Sequence, residues 1–125
     1  AFGRRSSIIK LSTDEFPCVA HNGGYLTIGG IIMDKLSKDK EVVDIIKQNE
    51  NVKIEKIISF GQTTDWMIQD KEEFVLLIQG KAIIEYEDKS VELKAGDILV
   101  IKKNERHRVL YTSKNPCCIW LCVFY

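Results

Sequence analysis

After Asn51 the sequence consists of short apolar segments separated by turn residues. The segments are rich in Val, Ile, Phe and Tyr, and Gly, Asn and Asp lie between them. Such residues favour extended strands, and segments of this length are too short for stable helices. Short strands at close, regular spacing predict an antiparallel sandwich or barrel. The predicted strands are Val52–Phe60, Glu73–Gln79, Lys81–Glu87, Val91–Leu93, Ile98–Ile101, His107–Thr112 and Cys118–Phe124.

The part of the chain before Asn51 has a different pattern. A helix is predicted over Ser37–Gln48, because Ser37 can cap the first turn and apolar side chains follow at helical spacing. Those side chains are Val42, Val43, Ile45 and Ile46. Short strands are predicted at Ile8–Leu11, Cys18–Ala20 and Tyr25–Met33. We therefore expect an N-terminal extension over residues 1–51, packed on a barrel formed by residues 52–125.

Composition and charge exclude some classes of function. The 125 residues fit one domain, and 18 basic residues balance 18 acidic residues. The chain therefore has no overall field that would attract nucleic acid or an anionic membrane. The longest unbroken apolar run, Cys117–Tyr125, is shorter than half a membrane span. With no secretory leader pattern at the N-terminus, we expect a cytoplasmic protein with no nucleic-acid or membrane partner.

The four cysteines do not suggest a disulfide framework or a zinc site. Cys18 stands alone, and Cys117, Cys118 and Cys122 crowd the last predicted strand. Structural zinc sites use two ligand pairs, and the second pair is missing here. We therefore expect buried, reduced thiols.

Two polar residues, Glu73 and His107, stand out within the predicted strands. Glu73 begins a strand with apolar side chains on both faces, and a buried carboxylate is costly unless it is paired. His107 shares a strand face with Val109 and Tyr111. If both side chains point into the barrel, they can bind a divalent metal together. Alternatively, they can share a proton as general acid and base.

The residues around these positions resemble the two sequence motifs of the cupin superfamily. The first motif is matched in spacing by Gly61, Met67-Ile68-Gln69, Glu73 and Gly80. The second is matched by Gly96, Lys102-Lys103-Asn104, His107 and Tyr111. The resemblance covers about Val52 to Tyr125. It implies an all-β fold, a cupin-type antiparallel β-barrel also described as a jelly roll or double-stranded β-helix.

The resemblance also implies a metal site, in which the first motif supplies two histidines and a glutamate and the second motif a histidine. In this chain those positions are Met67, Gln69, Glu73 and His107, of which only the last two match. A thioether suits soft ions, and an amide oxygen is a weaker ligand than imidazole. The expected ligands are therefore Gln69, Glu73 and His107, for Fe, Mn, Ni or Zn, with Glu73 and His107 as the expected catalytic residues.

The second motif departs from the family pattern at two further positions. Lys102 and Asn104 stand where the family usually has proline and glycine. Asn tolerates the left-handed conformation better than most residues. The turn is therefore expected to survive the change.

Two classes of function follow from these observations. The first is a small cupin of unassigned activity that binds a small molecule in the barrel, with a weak divalent-metal site. The alternative is a non-catalytic ligand-binding module without metal, or a structural homodimer that pairs through Cys117–Tyr125. Whether the protein is an enzyme stays open. The expected pocket-lining residues are Trp66, Met67, Tyr86, Tyr111 and Trp120.

Overall fold

The structure is a computed structural model that describes the backbone of residues 26–28 and 31–33 and all of residues 40–125. Strand β1 (Leu26–Ile28) pairs antiparallel with β2 (Ile31–Met33). The stretch predicted as one strand over Tyr25–Met33 therefore contains two short strands. The strands predicted at Ile8–Leu11 and Cys18–Ala20 lie outside the described residues.

The remaining strands form two antiparallel sheets. The five-stranded sheet has the order β3-β4-β10-β5-β8, and the three-stranded sheet has the order β7-β6-β9. These strands are β3 (Val42–Gln48), β4 (Lys53–Ser59), β5 (Glu73–Gln79), β6 (Lys81–Tyr86), β7 (Ser90–Lys94), β8 (Ile98–Ile101), β9 (His107–Thr112) and β10 (Cys118–Phe124). The predicted all-β cupin fold is confirmed, and the strand predictions after Asn51 agree to within one or two residues at each end.

The helix predicted over Ser37–Gln48 is wrong where the structure describes it, because residues 42–48 form strand β3. Val42 pairs with Ile58, and Val43 pairs with Ile57, along the edge of β4. Most residues in the first half of β3 are Val or Ile, whose restricted side-chain rotamers disfavour helices and favour strands. The division of the chain between residues 51 and 52 remains a prediction.

The main core lies between the two sheets. Val75 and Leu77 of the larger sheet pack with Ile84 and Tyr86 of the smaller one, and all four are buried. The same cluster includes Ala82, Leu93, Ile101, Cys118, Trp120 and Cys122. Because neighbouring residues of a strand point to opposite faces, the inner face of β5 begins with Glu73. The fold therefore carries this carboxylate into the space between the sheets.

A β-bulge in β9 decides which of its side chains face that space. Val109 pairs with Ile84, but Tyr111 pairs with Ile83, so the register shifts between these two pairs. The extra residue between them moves the following side chain to the other face of the sheet. Tyr111 is accordingly 46% exposed. The prediction that it shares a face with His107 and Val109 is therefore wrong.

The three cysteines in and directly before β10 are not all in the same oxidation state. Cys118 and Cys122 are free and buried, as predicted. Cys117 is disulfide-bonded, which corrects the prediction that it is reduced. Disulfides are rare in reducing compartments, so the cytoplasmic location remains a prediction.

The described part of the chain contains no helix with the length and hydrophobicity that a membrane span requires.

Gly80 and Gly96 allow a matched test of packing at the turns. Both have positive φ, 93° and 95°, a conformation that costs other residues about 1–2 kcal/mol. A Cβ at Gly80 would lie 2.8 Å from the Cys117 carbonyl oxygen, whereas a Cβ at Gly96 meets nothing within 4 Å. We expect Gly80→Ala to lower the free energy of unfolding by ~1–3 kcal/mol more than Gly96→Ala, because overpacking adds to the backbone strain. Urea denaturation of both variants measures this difference, and equal losses would contradict it.

Candidate functional site

A cavity of about 150 Å³ lies between the two sheets. Its wall is largely apolar, and a few polar side chains reach into it. The lining residues are Glu41, Ile57, Thr64, Met67, Gln69, Glu73, Val75, Ile84, Ile101, His107, Val109, Trp120, Cys122 and Phe124. Small-molecule sites have this composition, an apolar wall with a small number of convergent polar groups.

Glu73 is positioned by the centre of the larger sheet. It is the first residue of β5, and it pairs with Phe124 of β10 on one side and Ile101 of β8 on the other. The side chain is buried, and its Oε1 accepts a hydrogen bond of 2.9 Å from the Gln69 amide. The Cys122 thiol donates a second hydrogen bond to the same carboxyl group. Glu73 is therefore paired by neutral donors.

His107 is positioned by the smaller sheet. It begins β9, pairs with Tyr86 of β6 and is only 2% exposed. Its Nδ1 lies 2.8 Å from the carbonyl oxygen of Glu105. Because a carbonyl only accepts, Nδ1 carries the proton of the neutral ring, and the lone pair of the neutral imidazole is on Nε2. Nε2 lies 3.5 Å from the Gln69 amide nitrogen.

Backbone hydrogen bonds hold Gln69 between these two residues. Met67 and His107 form an isolated antiparallel bridge, with N···O distances of 2.8 and 3.0 Å. The Gln69 carbonyl accepts a hydrogen bond of 2.7 Å from the Asn104 N–H. Asn104 has a φ of 64°, which confirms the expectation that it adopts the left-handed conformation. The two motifs are therefore joined by main-chain contacts that do not depend on the identity of residues 67 and 69.

The surroundings of Glu73 favour its uncharged form. Burial raises the pKa of its carboxyl group, and the hydrogen bonds from Gln69 and Cys122 and the nearby His107 offset only part of this rise. Burial also raises the pKa of the Cys122 thiol, and the adjacent Glu73 carboxylate raises it further. Cys122 therefore acts as a hydrogen-bond donor to Glu73, not as a thiolate.

Glu41 is a cavity residue that the sequence did not single out. Its Oε2 accepts a hydrogen bond of 2.9 Å from the Ser59 hydroxyl, which in turn accepts one of 3.0 Å from the Trp120 indole N–H. Ser59 and Trp120 are buried, whereas Glu41 is exposed at the mouth of the cavity. Glu41 lies within the predicted helix over Ser37–Gln48. The Val/Ile-rich stretch that follows Glu41 favours a strand as well as a helix. A strand prediction there would have placed Glu41 at the edge of the sheet.

The structure separates the five residues predicted to line the pocket. Met67 and Trp120 line the cavity. Tyr86 is in the core beside His107, with ring centroids 6.5 Å apart, and burial, with the Glu105 and Glu73 charges, raises its pKa to about 12. Tyr111 faces outward because of the bulge. The ring of Trp66 lies under two arginines outside the cavity, so the prediction for Trp66, Tyr86 and Tyr111 is corrected.

The contacts of Trp66 explain its position. The guanidinium carbons of Arg106 and Arg108 lie 4.5 and 4.7 Å from its ring centre. Arg108 also forms a salt bridge of 2.6 Å with Glu85, and Arg106 forms one of 3.3 Å with Glu87. Arg106 and Arg108 flank His107 in sequence, so their side chains point to the opposite face from His107.

Comparison with protein families identifies the class of this chain. A family model described as "Cupin domain" matches residues 57–124, more than half of the sequence. The chain belongs to the cupin domain family. No curated protein is similar enough to this sequence to count as a match.

Solved structures agree with this assignment. A protein of Ralstonia eutropha JMP134, provisionally assigned as a mannose-6-phosphate isomerase, is 31% identical, with a TM-score of 0.65 over 68% of this chain and 83% of its own. A cupin superfamily protein of Desulfitobacterium hafniense DCB-2 is 18% identical, with a TM-score of 0.62 over 70% and 78% of the two chains. An RmlC-like cupin of Methanocaldococcus jannaschii, with a double-stranded β-helix fold, is 18% identical, with a TM-score of 0.59 over 68% and 79%.

The residues at the family's metal position do not fit a divalent metal. The three predicted ligands Gln69, Glu73 and His107 do lie together, but Gln69 turns an amide nitrogen toward the other two. That nitrogen donates hydrogen bonds and offers no lone pair to a metal. Among residues 40–125, no group of three His, Cys, Asp or Glu side chains is placed to hold a metal ion. Catalytic sites for ions such as zinc use three such ligands, so we assign no step to a metal.

The pKa of Glu73 predicts how stability depends on pH. Because its folded-state pKa is raised, the folded protein binds this proton more tightly than the unfolded chain does. The contribution is fully present below the unfolded pKa and is lost as pH rises through the folded pKa. Glu73→Gln abolishes that loss, so its stability relative to wild type should increase as pH rises from about 4 to about 8.

Urea denaturation across this pH range measures the effect. Glu92→Gln, which changes an exposed carboxylate on β7, is the matched control. A constant difference between Glu73→Gln and wild type at all pH values would contradict the prediction.

Proposed function

We propose that this cupin binds a small organic molecule in the cavity between its sheets, without the help of a divalent metal. The observation that carries the proposal is the placement of Glu73 and His107 on either side of Gln69 in a largely apolar cavity. Buried polar groups of this kind are costly to keep unless they are paired. Gln69, Cys122 and the Glu105 carbonyl already pair with them within the protein. A ligand that adds a further hydrogen bond and covers the apolar wall would be favoured.

The lining supports a ligand with hydrogen-bond donors. His107 Nε2 and carboxyl oxygens of Glu41 and Glu73 are acceptors, and none of the described lining residues is Lys or Arg. An anionic group such as phosphate is normally bound by basic side chains or clustered N–H groups. We therefore propose a hydroxyl-bearing or amine-bearing ligand. Its apolar part would lie against Val75 and Ile84.

The volume of the cavity supports a small ligand. Sites for drug-sized molecules are about 300–1,000 Å³, and this cavity has about 150 Å³. The Ralstonia relative is provisionally assigned as acting on mannose 6-phosphate. A sugar phosphate is both larger and more negative than this cavity favours, so we do not extend that activity to this chain. The catalytic role expected of Glu73 and His107 remains a prediction.

We also propose that the protein pairs with a second copy through the outer face of the five-stranded sheet. The apolar segment Cys117–Tyr125, first expected to pair, contains β10, which lies between β4 and β5 and has no free edge. Strand β8 ends the sheet among the described strands, and Ile98 and Val100 on it are 58% and 45% exposed. Phe74 and Leu76 of β5 continue the same apolar surface, since they pair with these residues. The net charge of zero gives two copies no overall repulsion.

The two tryptophans allow a direct test of ligand binding. Trp66→Phe leaves Trp120, which lines the cavity, as the only tryptophan, and Trp120→Phe leaves only Trp66 outside it. Adding 2,3-butanediol or 1-amino-2-propanol should change the fluorescence of the first variant and not of the second. Inorganic phosphate and mannose 6-phosphate should change neither. His107→Ala should weaken binding roughly tenfold or more, because it removes a buried hydrogen-bond partner.

A larger response to phosphate than to the diol or the amino alcohol would contradict the charge argument. An equal response of the two tryptophan variants would contradict the location.

Dimerisation is tested by placing charges on the outer face. The double variant Ile98→Lys/Val100→Lys should sediment as a monomer at concentrations where the wild type is a dimer, because burying lysines is costly. Leu110→Lys, at a partly exposed position on the other sheet, is the control and should remain dimeric. A wild-type protein that sediments as a monomer at high concentration would contradict the proposal.

A further inference from the structure

Glu73, Gln69 and His107 form one hydrogen-bonded row in the wall of the cavity. The Gln69 amide nitrogen lies 2.9 Å from Glu73 Oε1 and 3.5 Å from His107 Nε2. An amide nitrogen has two N–H groups, so it can direct one at each neighbour. The hydrogens of the two N–H bonds carry partial positive charge, and they face Glu73 Oε1 and His107 Nε2.

The two outer members of the row are already arranged as metal ligands. His107 donates from Nδ1 to the Glu105 carbonyl, which leaves the lone pair on Nε2, the nitrogen nearest Gln69. Metal-bound histidines have this kind of support on the opposite nitrogen. Glu73 is held in place by β8 and β10 on either side. The group between Glu73 and His107 is the Gln69 amide nitrogen, which is a hydrogen-bond donor.

We propose that the Gln69 amide takes the place of a divalent cation between Glu73 and His107, and that residue 69 alone decides whether this site binds a metal. The amide offers partial positive charge to both acceptors, which stabilises them in the cavity without an ion. To admit an ion, Gln69 would have to turn its amide away and lose the bond to Glu73. A third strong ligand at position 69 would reverse this balance, because its main chain is fixed by the Asn104 N–H. This inference rests on the metal-free site of the proposed function, and it is independent of which organic ligand binds there.

The test is a metal titration of Gln69→His in protein without a histidine tag. Co²⁺ is the probe, because its visible absorption reports ligand number and geometry. We expect no Co²⁺ bound by the wild type and one equivalent bound by Gln69→His, with binding lost again when His107→Ala is added. Gln69→Leu is the matched control, since it removes the bridging amide and adds no ligand, and it should bind none. His21→Ala, which removes the only other histidine, should leave the binding by Gln69→His unchanged.

Three results would overturn the proposal. These are one equivalent of Co²⁺ bound by the wild type, one equivalent bound by Gln69→Leu, or none bound by a Gln69→His variant with wild-type circular dichroism. None of these measurements involves the organic ligand. Failure of the ligand proposal therefore cannot be mistaken for failure of this one.

A second variant keeps the test valid if Gln69→His does not fold. Gln69→Glu has the same shape as the wild type but replaces the donor amide with a carboxylate facing Glu73. Two such carboxylates repel each other, so the variant should melt at a lower temperature than wild type. Mn²⁺ or Zn²⁺ should raise its melting temperature toward the wild-type value. The same ions should not raise the melting temperature of the wild type. A Gln69→Glu variant indifferent to both ions would overturn the proposal.

Discussion

The structure depends most on how it keeps Glu73 and His107 buried next to each other. An ionised carboxylate in an apolar core is costly, and so is an imidazole without partners. Here the carboxyl group receives hydrogen bonds from Gln69 and Cys122, and the imidazole donates to the Glu105 carbonyl. Both donors to Glu73 are neutral, and they only partly offset the effect of burial, which raises the pKa of Glu73. A ligand with a hydroxyl or amine group would add a further donor to the same carboxyl group.

This arrangement is built by strands that are distant in sequence. Glu73 comes from the larger sheet, His107 from the smaller one, and Gln69 from the segment that pairs with the start of β9 through Met67. Thr64 continues that pairing, since its N–H donates to the Val109 carbonyl and its hydroxyl accepts from the Val109 N–H. The cavity is therefore closed along one edge by a strand-like segment whose hydrogen bonds are mostly main-chain.

Much of the fold could be predicted from the sequence because its strands are short apolar segments, rich in Val, Ile, Phe and Tyr, that are bounded by clear turns. The exceptions have physical causes. Val42, Val43, Ile45 and Ile46 have a spacing that fits a helix as well as an edge strand, and only the presence of β4 as a partner decides between them. Tyr111 faces outward because of a one-residue bulge, which leaves no trace in the hydrophobic pattern. Glu41 was missed for the same reason, because it directly precedes β3 and lies within the predicted helix. The placement of Glu73 and His107 in one cavity was predictable, because two motifs fixed their place in the barrel, but the orientation of the Gln69 amide was not.

The recognisable motifs and the altered chemistry have a common explanation. The positions of Met67 and Gln69 are set by main-chain hydrogen bonds to His107 and Asn104, and Gly80 is required by its positive φ and its close approach to Cys117. None of these constraints involves the side chains at positions 67 and 69. The barrel can therefore exchange the groups at those positions while the spacing of the motifs, and with it the family resemblance, is unchanged. Family membership fixes where the groups of the site are placed, and the chemistry follows from which atoms Gln69, Glu73 and His107 present there.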